Sequence, residues 1–373
     1  MVYISKFLDT TGFFEFCALY SLSKSGGSAR KLFFIIYGVV SILTIFTSND
    51  VVILTFTPFI HYFSQAAGID PIPFLFGEFF AANTWSMIFI ISNPTNVVLG
   101  TAFSQTFTAF AQVMAVTSLV GGLSNCLLLY LRFRKSINIS FDLSQDEEEE
   151  KPEDKIKSKL DMIVGLVFTL GSIIMMALCS IPGINIEMWI VAGSMAVILL
   201  IYNIIIDIYR KTEGRSKLYI IFSSLPYPII FFLSSLFIIV NSLKIKGLFA
   251  TIGSLLSSLV KKSEILNSIV FGVLSTLSAN ILNNIPMSVA FVPIVQSTNS
   301  PPSRGAIYAS VVGANLGANL TPLGALAGLM WIKILKENSI NIGFRDFMKI
   351  GFTITPLTLI FTVAALIGMI LIT

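Results

Sequence analysis

Asn49 and Asp50 put an amide and a carboxylate side by side between two apolar runs, residues 32–46 and 51–63, with Ser48 just before them. An acid at membrane depth is expensive and must face protein or water, which makes it a functional-site candidate. Three further polar breaks interrupt apolar runs: Ser92-Asn93-Pro94-Thr95-Asn96, Asn280 to Asn284, and Asn315 to Pro322. Asn, Ser and Thr oxygens with unwound carbonyls can hold a cation, whereas half-helix N-termini offer N–H groups and positive dipole ends to an anion. Singly, each such residue is as readily a helix-to-helix hydrogen bond. Clustered at four breaks, they outline a site. The binding candidates are Ser48, Asn49, Asn93, Thr95, Asn96, Asn283, Asn284, Asn319 and Thr321. Asp50 is the candidate for taking up and releasing a coupling ion, H⁺ or Na⁺; the other reading is a structural carboxylate capping a hairpin helix.

The breaks recur along the chain. Asn49 to Pro58 spans nine positions, and so does Asn284 to Pro293. Gly12-Phe13-Phe14 and Gly247-Leu248-Phe249 each lie 37 residues before the corresponding Asn, so all three landmarks share an offset of 235. That is an internal repeat. Asp50 has no acidic counterpart, because Ile285 stands in its place. Asn93-Pro94-Thr95 and Asn319-Leu320-Thr321 also match as Asn-x-Thr, but only with a nine-residue gap.

Composition places these motifs in a membrane. The 373 residues are 55% hydrophobic and 12% charged, with a mean hydropathy of +0.85. Apolar runs long enough to cross ~30 Å of hydrocarbon recur. No cleaved signal peptide is expected, so insertion rests on the transmembrane segments. Cys17, Cys126 and Cys179 are odd in number and set among apolar residues, which reads as buried free thiols. His61 is the one histidine. That disfavours zinc, haem and Ser-His chemistry, and no metal site, cofactor or enzymatic activity is expected.

The elements follow in order. Residues 1–135 are read as a first repeat: an interfacial arm at 7–22, a re-entrant hairpin at 31–66, a helix at 72–101 broken near 91–96, and a helix at 105–131. Residues 136–159 are a charged linker whose run Asp146-Glu147-Glu148-Glu149-Glu150 suggests a solvated tether. Residues 160–373 form the second repeat. It holds three scaffold helices at 160–181, 184–208 and 218–241, an arm at 245–260, a hairpin at 264–297, a broken helix at 304–335 and a last helix at 350–372. A Pro182-Gly183 turn joins the first two scaffold helices. Glu78 is placed near the mouth of the first broken span, and Asp9 and Glu15 on the arm at the interface. The 32 Phe read as lipid-facing packing.

With both hairpins returning to their own side, five spans separate Gly12 from Gly247, and an odd number inverts the repeats. On that topology 18 Lys and Arg fall on one side, among them Arg132, Lys159, Arg210 and Lys349. The other side holds Lys244, Lys246, Lys261, Lys262 and Arg304. The rich side, with the linker, is then cytoplasmic. The fold class expected is an all-α polytopic membrane protein with inverted repeats, two re-entrant helical hairpins and two broken transmembrane helices.

Gly12-Phe13-Phe14-Glu15, Ser48-Asn49-Asp50, Ser92-Asn93, Asn283-Asn284-x-Pro286 and Asn319-Leu320-Thr321-Pro322-Leu323-Gly324-Ala325-Leu326-Ala327 with Trp331 together resemble the arsenite efflux permeases of the ion transporter superfamily. That superfamily also includes Na⁺/H⁺ antiporters and citrate or dicarboxylate carriers. The resemblance implies a secondary transporter of the plasma or inner membrane with a scaffold domain and a mobile transport domain, moving a small anion or oxyanion by alternating access. It implies a homodimer, sometimes beside a soluble ATPase, with lipid and the anion as partners and no nucleic acid. It also implies aspartates where this chain has Asn83 and Asn315, which are therefore taken with Asp50 as the ion-coupling positions. Three spans precede Gly247 but only 11 residues precede Gly12, so the first repeat is expected to be N-terminally short. A passive channel is the rival from outside the class, with a continuously lined pore.

Overall fold

The computed structural model describes residues 2–141, 151–179, 181, 186–210, 216–225, 227–260, 263–338 and 340–373. In chain order its helices are α1 (Val2–Thr10), α2 (Phe13–Ser25), α3 (Ala29–Phe46), α4 (Asn49–Ala66), α5 (Ile72–Trp85), α6 (Pro94–Ala102) and α7 (Phe107–Ile137). After the linker come α8 (Lys159–Leu178), α9 (Met188–Arg210), α10 (Lys217–Ser224), α11 (Tyr227–Ile245) and α12 (Leu248–Val260). The last are α13 (Glu264–Leu282), α14 (Asn284–Thr298), α15 (Arg304–Leu316), α16 (Leu326–Glu337) and α17 (Phe344–Ile372). No strand occurs among the described residues, where an isolated bridge joins Ser28 to Ser140. Six of these helices are long and apolar enough to cross a membrane: α3, α7, α8, α9, α13 and α17. The end of α11 and α12 would make a seventh crossing bent by 70°.

Capping chemistry explains where many helices begin. Ser28, Ser158, Ser263 and Ser303 stand in extended conformation before α3, α8, α13 and α15, and each hydroxyl accepts from a first-turn N–H. Asn93 does the same for α6, with Pro94 at the first helical position.

Two compact units emerge. The first comprises Met1–Glu78 and Arg134–Pro226, the second Phe79–Phe133 and Tyr227–Thr373. In the first, Ile4 and Phe7 of α1 pack with Leu199 of α9 and Ile221 of α10. Beside them the buried carboxylate of Asp161 pairs with Lys217 and accepts from Tyr202 Oη at 2.9 Å. In the second, α13 and α15 pack through small residues, with Ser275 Oγ 3.3 Å from Ala309 O. Glu264 ties their N-terminal ends, accepting from Ser303 Oγ at 2.7 Å and Gly305 N at 2.6 Å.

Four sequence expectations change. The span expected at 218–241 is two helices, α10 and α11. Leu225 between them is extended (φ −69°, ψ 140°), as a residue before proline is pushed to be, and residue 226 is proline. The phenylalanines are not chiefly lipid-facing: Phe33, Phe56, Phe63, Phe74, Phe79, Phe80 and Phe110 are among the largest fully buried side chains, because an interior built from thin helices needs bulky rings to fill it. The first broken helix is interrupted at 86–93, upstream of where Pro94 suggested, because that proline opens α6. The linker is anchored at both ends: Phe141 N donates to Gly27 O (2.8 Å), Ala29 N to Ile139 O (3.1 Å) and Lys157 N to Thr11 O (3.0 Å). The acidic run Asp146–Glu150 and the Pro182-Gly183 turn lie outside the described residues.

Gly12 and Gly247 take the same left-handed backbone, φ 82° and 77°, and each N–H bonds the carbonyl three residues back. Their surroundings differ. A Cβ on Gly12 would run into the carbonyl of Lys155, whereas nothing lies within 4 Å of one on Gly247. Gly247→Ala is therefore expected to cost about 1–2 kcal/mol, the left-handed penalty alone. Gly12→Ala should cost more and loosen residues 151–157, read as a larger drop in thermal midpoint of the detergent-purified protein and faster proteolysis at the linker.

Candidate functional site

In the second unit the two broken helices meet through side-chain amides. Asn315, at the end of α15, is the hub and is fully buried. Its Oδ1 accepts from Ser86 Oγ (2.9 Å) and Asn93 Nδ2 (2.8 Å). Its Nδ2 donates to Asn96 Oδ1 and to Val311 O, both at 2.8 Å. The Val311 carbonyl can only accept, which identifies that atom as the nitrogen. Every hydrogen-bonding position of the Asn315 amide is thus filled by protein.

The same logic runs outward from the hub. Asn96 Nδ2 donates to Ser86 O (2.7 Å) and Phe89 O (3.0 Å), main-chain carbonyls of the break itself. Asn93 Oδ1 accepts from Thr95 N at 3.1 Å. Asn83 Nδ2 donates to Phe79 O (3.0 Å) and Asn319 Oδ1 (3.2 Å), and Asn319 Nδ2 reaches Thr84 Oγ1 at 3.4 Å. Beneath this cluster Trp331, fully buried, packs against Phe79 and Phe347 with ring centroids 5.1 and 5.7 Å away.

The break between α13 and α14 is held to the second broken helix. Asn280 Nδ2 donates to Thr276 O (2.8 Å) and Gly317 O (2.9 Å), while its Oδ1 accepts from Thr321 Oγ1 (2.7 Å). Asn283 forms the corner with φ 73° and ψ 152°, outside the left-handed helical region and in one that residues other than glycine rarely adopt, and its Nδ2 donates to Leu323 O at 3.2 Å. Asn284 then opens α14 and is buried.

The first unit holds the remaining break. Thr47 and Ser48 are extended, buried Asn49 starts α4, and Asp50 stands half-buried in its first turn, where a helix dipole favours a negative charge. Carboxylates anchor the next turns of α4. Thr55 Oγ1 donates to Asp9 Oδ1 (2.9 Å), and Asp9 also pairs with Lys6 at 3.2 Å. Thr57 Oγ1 lies 3.0 Å from Glu78 Oε1, and Glu78 is fully buried rather than at a solvent-facing mouth.

Of the residues singled out from sequence, Asn83, Asn93, Thr95, Asn96, Asn315 and Asn319 share one network, Thr321 and Asn283 join the second break, and Ser48, Asn49 and Asp50 belong to the other unit. Ser86, Thr84 and Asn280 were missed as site residues. The signal was present in Asn83-Thr84-Trp85-Ser86, a polar patch inside an apolar run. Asn83 and Asn315, as amides, can ligate a cation through oxygen but cannot carry a proton. Replacing Asn315 by Leu removes the partner of Asn93 Nδ2 and the 2.8 Å donor to Asn96 Oδ1 in a buried setting, at about 1–3 kcal/mol per orphaned group, while Ser86 Oγ keeps Asn83 O. The expected outcome is a loss on the order of 3 kcal/mol or more, measured by thermal or denaturant unfolding in detergent, with Val311→Ala far milder.

The whole chain has relatives. A sequence model of a family described as "Arsenical pump membrane protein" matches residues 1–371. An arsenical pump membrane protein of Escherichia coli is 27% identical over 371 residues, covering 98% of this chain and 84% of its own. One from Yersinia enterocolitica is 26% identical with the same coverage. A 46 kDa membrane protein of Mycobacterium leprae is 24% identical over 365 residues, 96% of this chain and 82% of that one. The match runs through all four polar breaks, and the chain belongs to the arsenical pump membrane protein family.

Proposed function

We propose that this chain is an ion-coupled secondary transporter that carries arsenite-type oxyanions across the plasma or inner membrane by alternating access. The observation that carries the proposal is the amide cluster around Asn315, which joins two interrupted helices through buried polar side chains in a protein of the arsenical pump family. Interrupted helices bound at their breaks provide dipole ends and unwound carbonyls for ions without exposing them to lipid. The relatives' name supplies the substrate class.

The repeats are inverted and α3–α4 and α13–α14 are re-entrant hairpins in this proposal. Support comes from recurrence: Gly12 and Gly247 share one backbone conformation, Asn49 and Asn284 each open a helix, and Pro58 and Pro293 lie inside those helices. The biased Lys and Arg distribution supports a cytoplasmic linker. The oxyanion is held at the breaks of α5–α6, α13–α14 and α15–α16. The amide cluster has no proton to give, so proton coupling falls to a carboxylate, and Asp50 at the start of α4 is the one we assign.

Purified protein in liposomes tests this. Wild-type protein is expected to accumulate arsenite against its gradient when a pH gradient is imposed, and Asp50→Asn to lose that driven flux at least tenfold while still folding. Concentration of citrate or phosphate instead, driving by Na⁺ alone, or purely downhill flux that ignores Asp50→Asn would respectively move the assignment to a carboxylate carrier, a Na⁺-coupled carrier or a channel.

A further inference from the structure

The second unit contains a cleft of about 440 Å³ that none of the residues discussed so far explains. Three helices wall it. α6 contributes Val97, Val98 and Thr101, α14 contributes Val289, Val292 and Gln296, and α11 contributes Asn241 and Lys244. α14 packs against both of the others. Only the α14 wall is graded, from buried Val289 through half-buried Val292 to exposed Gln296; Val97 and Thr101 of α6 and Asn241 and Lys244 of α11 are exposed, and the last three with Gln296 gather the polar groups at the mouth.

The inner end points at the site already described. Val97 is four residues past Asn93 on α6, and Val289 five past Asn284 on α14. At 1.5 Å per residue these are only about 6–8 Å along each helix from the two polar breaks. Both walls therefore run directly to half-helix N-termini. At the other end Lys244 makes no ion pair among the described residues, so its charge is directed at whatever enters. The cationic, amide-bearing mouth attracts a small anion, which must keep its water as it passes the valines. The valines offer nothing to bind it on the way, and the charge raises its local concentration at the entrance.

We infer that the cleft between α6, α11 and α14 is an access route for the transported anion, with Lys244 as the electrostatic collector at its mouth. The inference rests on the proposed transport function for the identity of the anion, but not for the existence of the route.

The test uses full-length protein in liposomes with Cys17, Cys126 and Cys179 replaced by alanine, and Val292→Cys or Val97→Cys as reporters. A negatively charged, membrane-impermeant methanethiosulfonate should modify either cysteine. Lys244→Gln should slow that modification at least fivefold at low salt, Lys244→Arg should restore it, and the difference should vanish near 1 M salt, where the screening length falls to about 3 Å. The route is overturned if only an uncharged, lipid-soluble maleimide reaches both cysteines, which would make the cleft a lipid groove, or if Lys244→Gln leaves the low-salt rate unchanged. Labelling and its dependence on Lys244 without any arsenite transport would leave the route standing and remove the arsenite assignment.

Discussion

A helix that stops inside hydrocarbon leaves N–H and C=O groups that no lipid can satisfy, and this constraint organises the second unit. The chain meets it with asparagine. One amide supplies two donors and an acceptor in fixed geometry, so it can stand in for missing helical bonds and reach a second helix at once. Asn96 covers the carbonyls of Ser86 and Phe89 and still accepts from Asn315. Asn280 covers Thr276 and Gly317 and still accepts from Thr321. Asparagines thus tie loose carbonyls of their own break and bond the neighbouring break as well.

The first unit solves a different problem with charge. Asp9 holds Thr55, Glu78 holds Thr57, and Asp161 holds Lys217 and Tyr202. A buried ion pair is weak evidence of stability, but removing one partner leaves a charge with no compensation, so such groups are poorly replaceable once in place. The two units therefore differ in chemistry as well as in membership: titratable side chains line α4 and its neighbours in one, and neutral amides line the broken helices in the other.

Neutrality at Asn83 and Asn315 has a structural consequence of its own. Asn315 accepts twice and donates twice, and a carboxylate in its place would keep the bonds from Ser86 and Asn93 but lose those to Asn96 and Val311. The network as it stands is complete without an ion. Binding one there would exchange protein hydrogen bonds for ligand contacts.

By itself the sequence determined the membrane class, the placement of the breaks to within a few residues, and the offset of 235 positions shared by Gly12, Asn49 and Pro58 with Gly247, Asn284 and Pro293. These are legible because apolar periodicity, proline and left-handed glycine act locally, within a turn or two of the residue that causes them. Only the tertiary structure decided that Ser86 belongs with the asparagines, that Asn280 bonds Gly317, that Glu78 is buried, that the phenylalanines fill the interior and that the linker is tied to Thr11 and Gly27. Those facts depend on which helices are neighbours, and Asn315 meets Asn96 across 219 residues of chain through packing that no local pattern records.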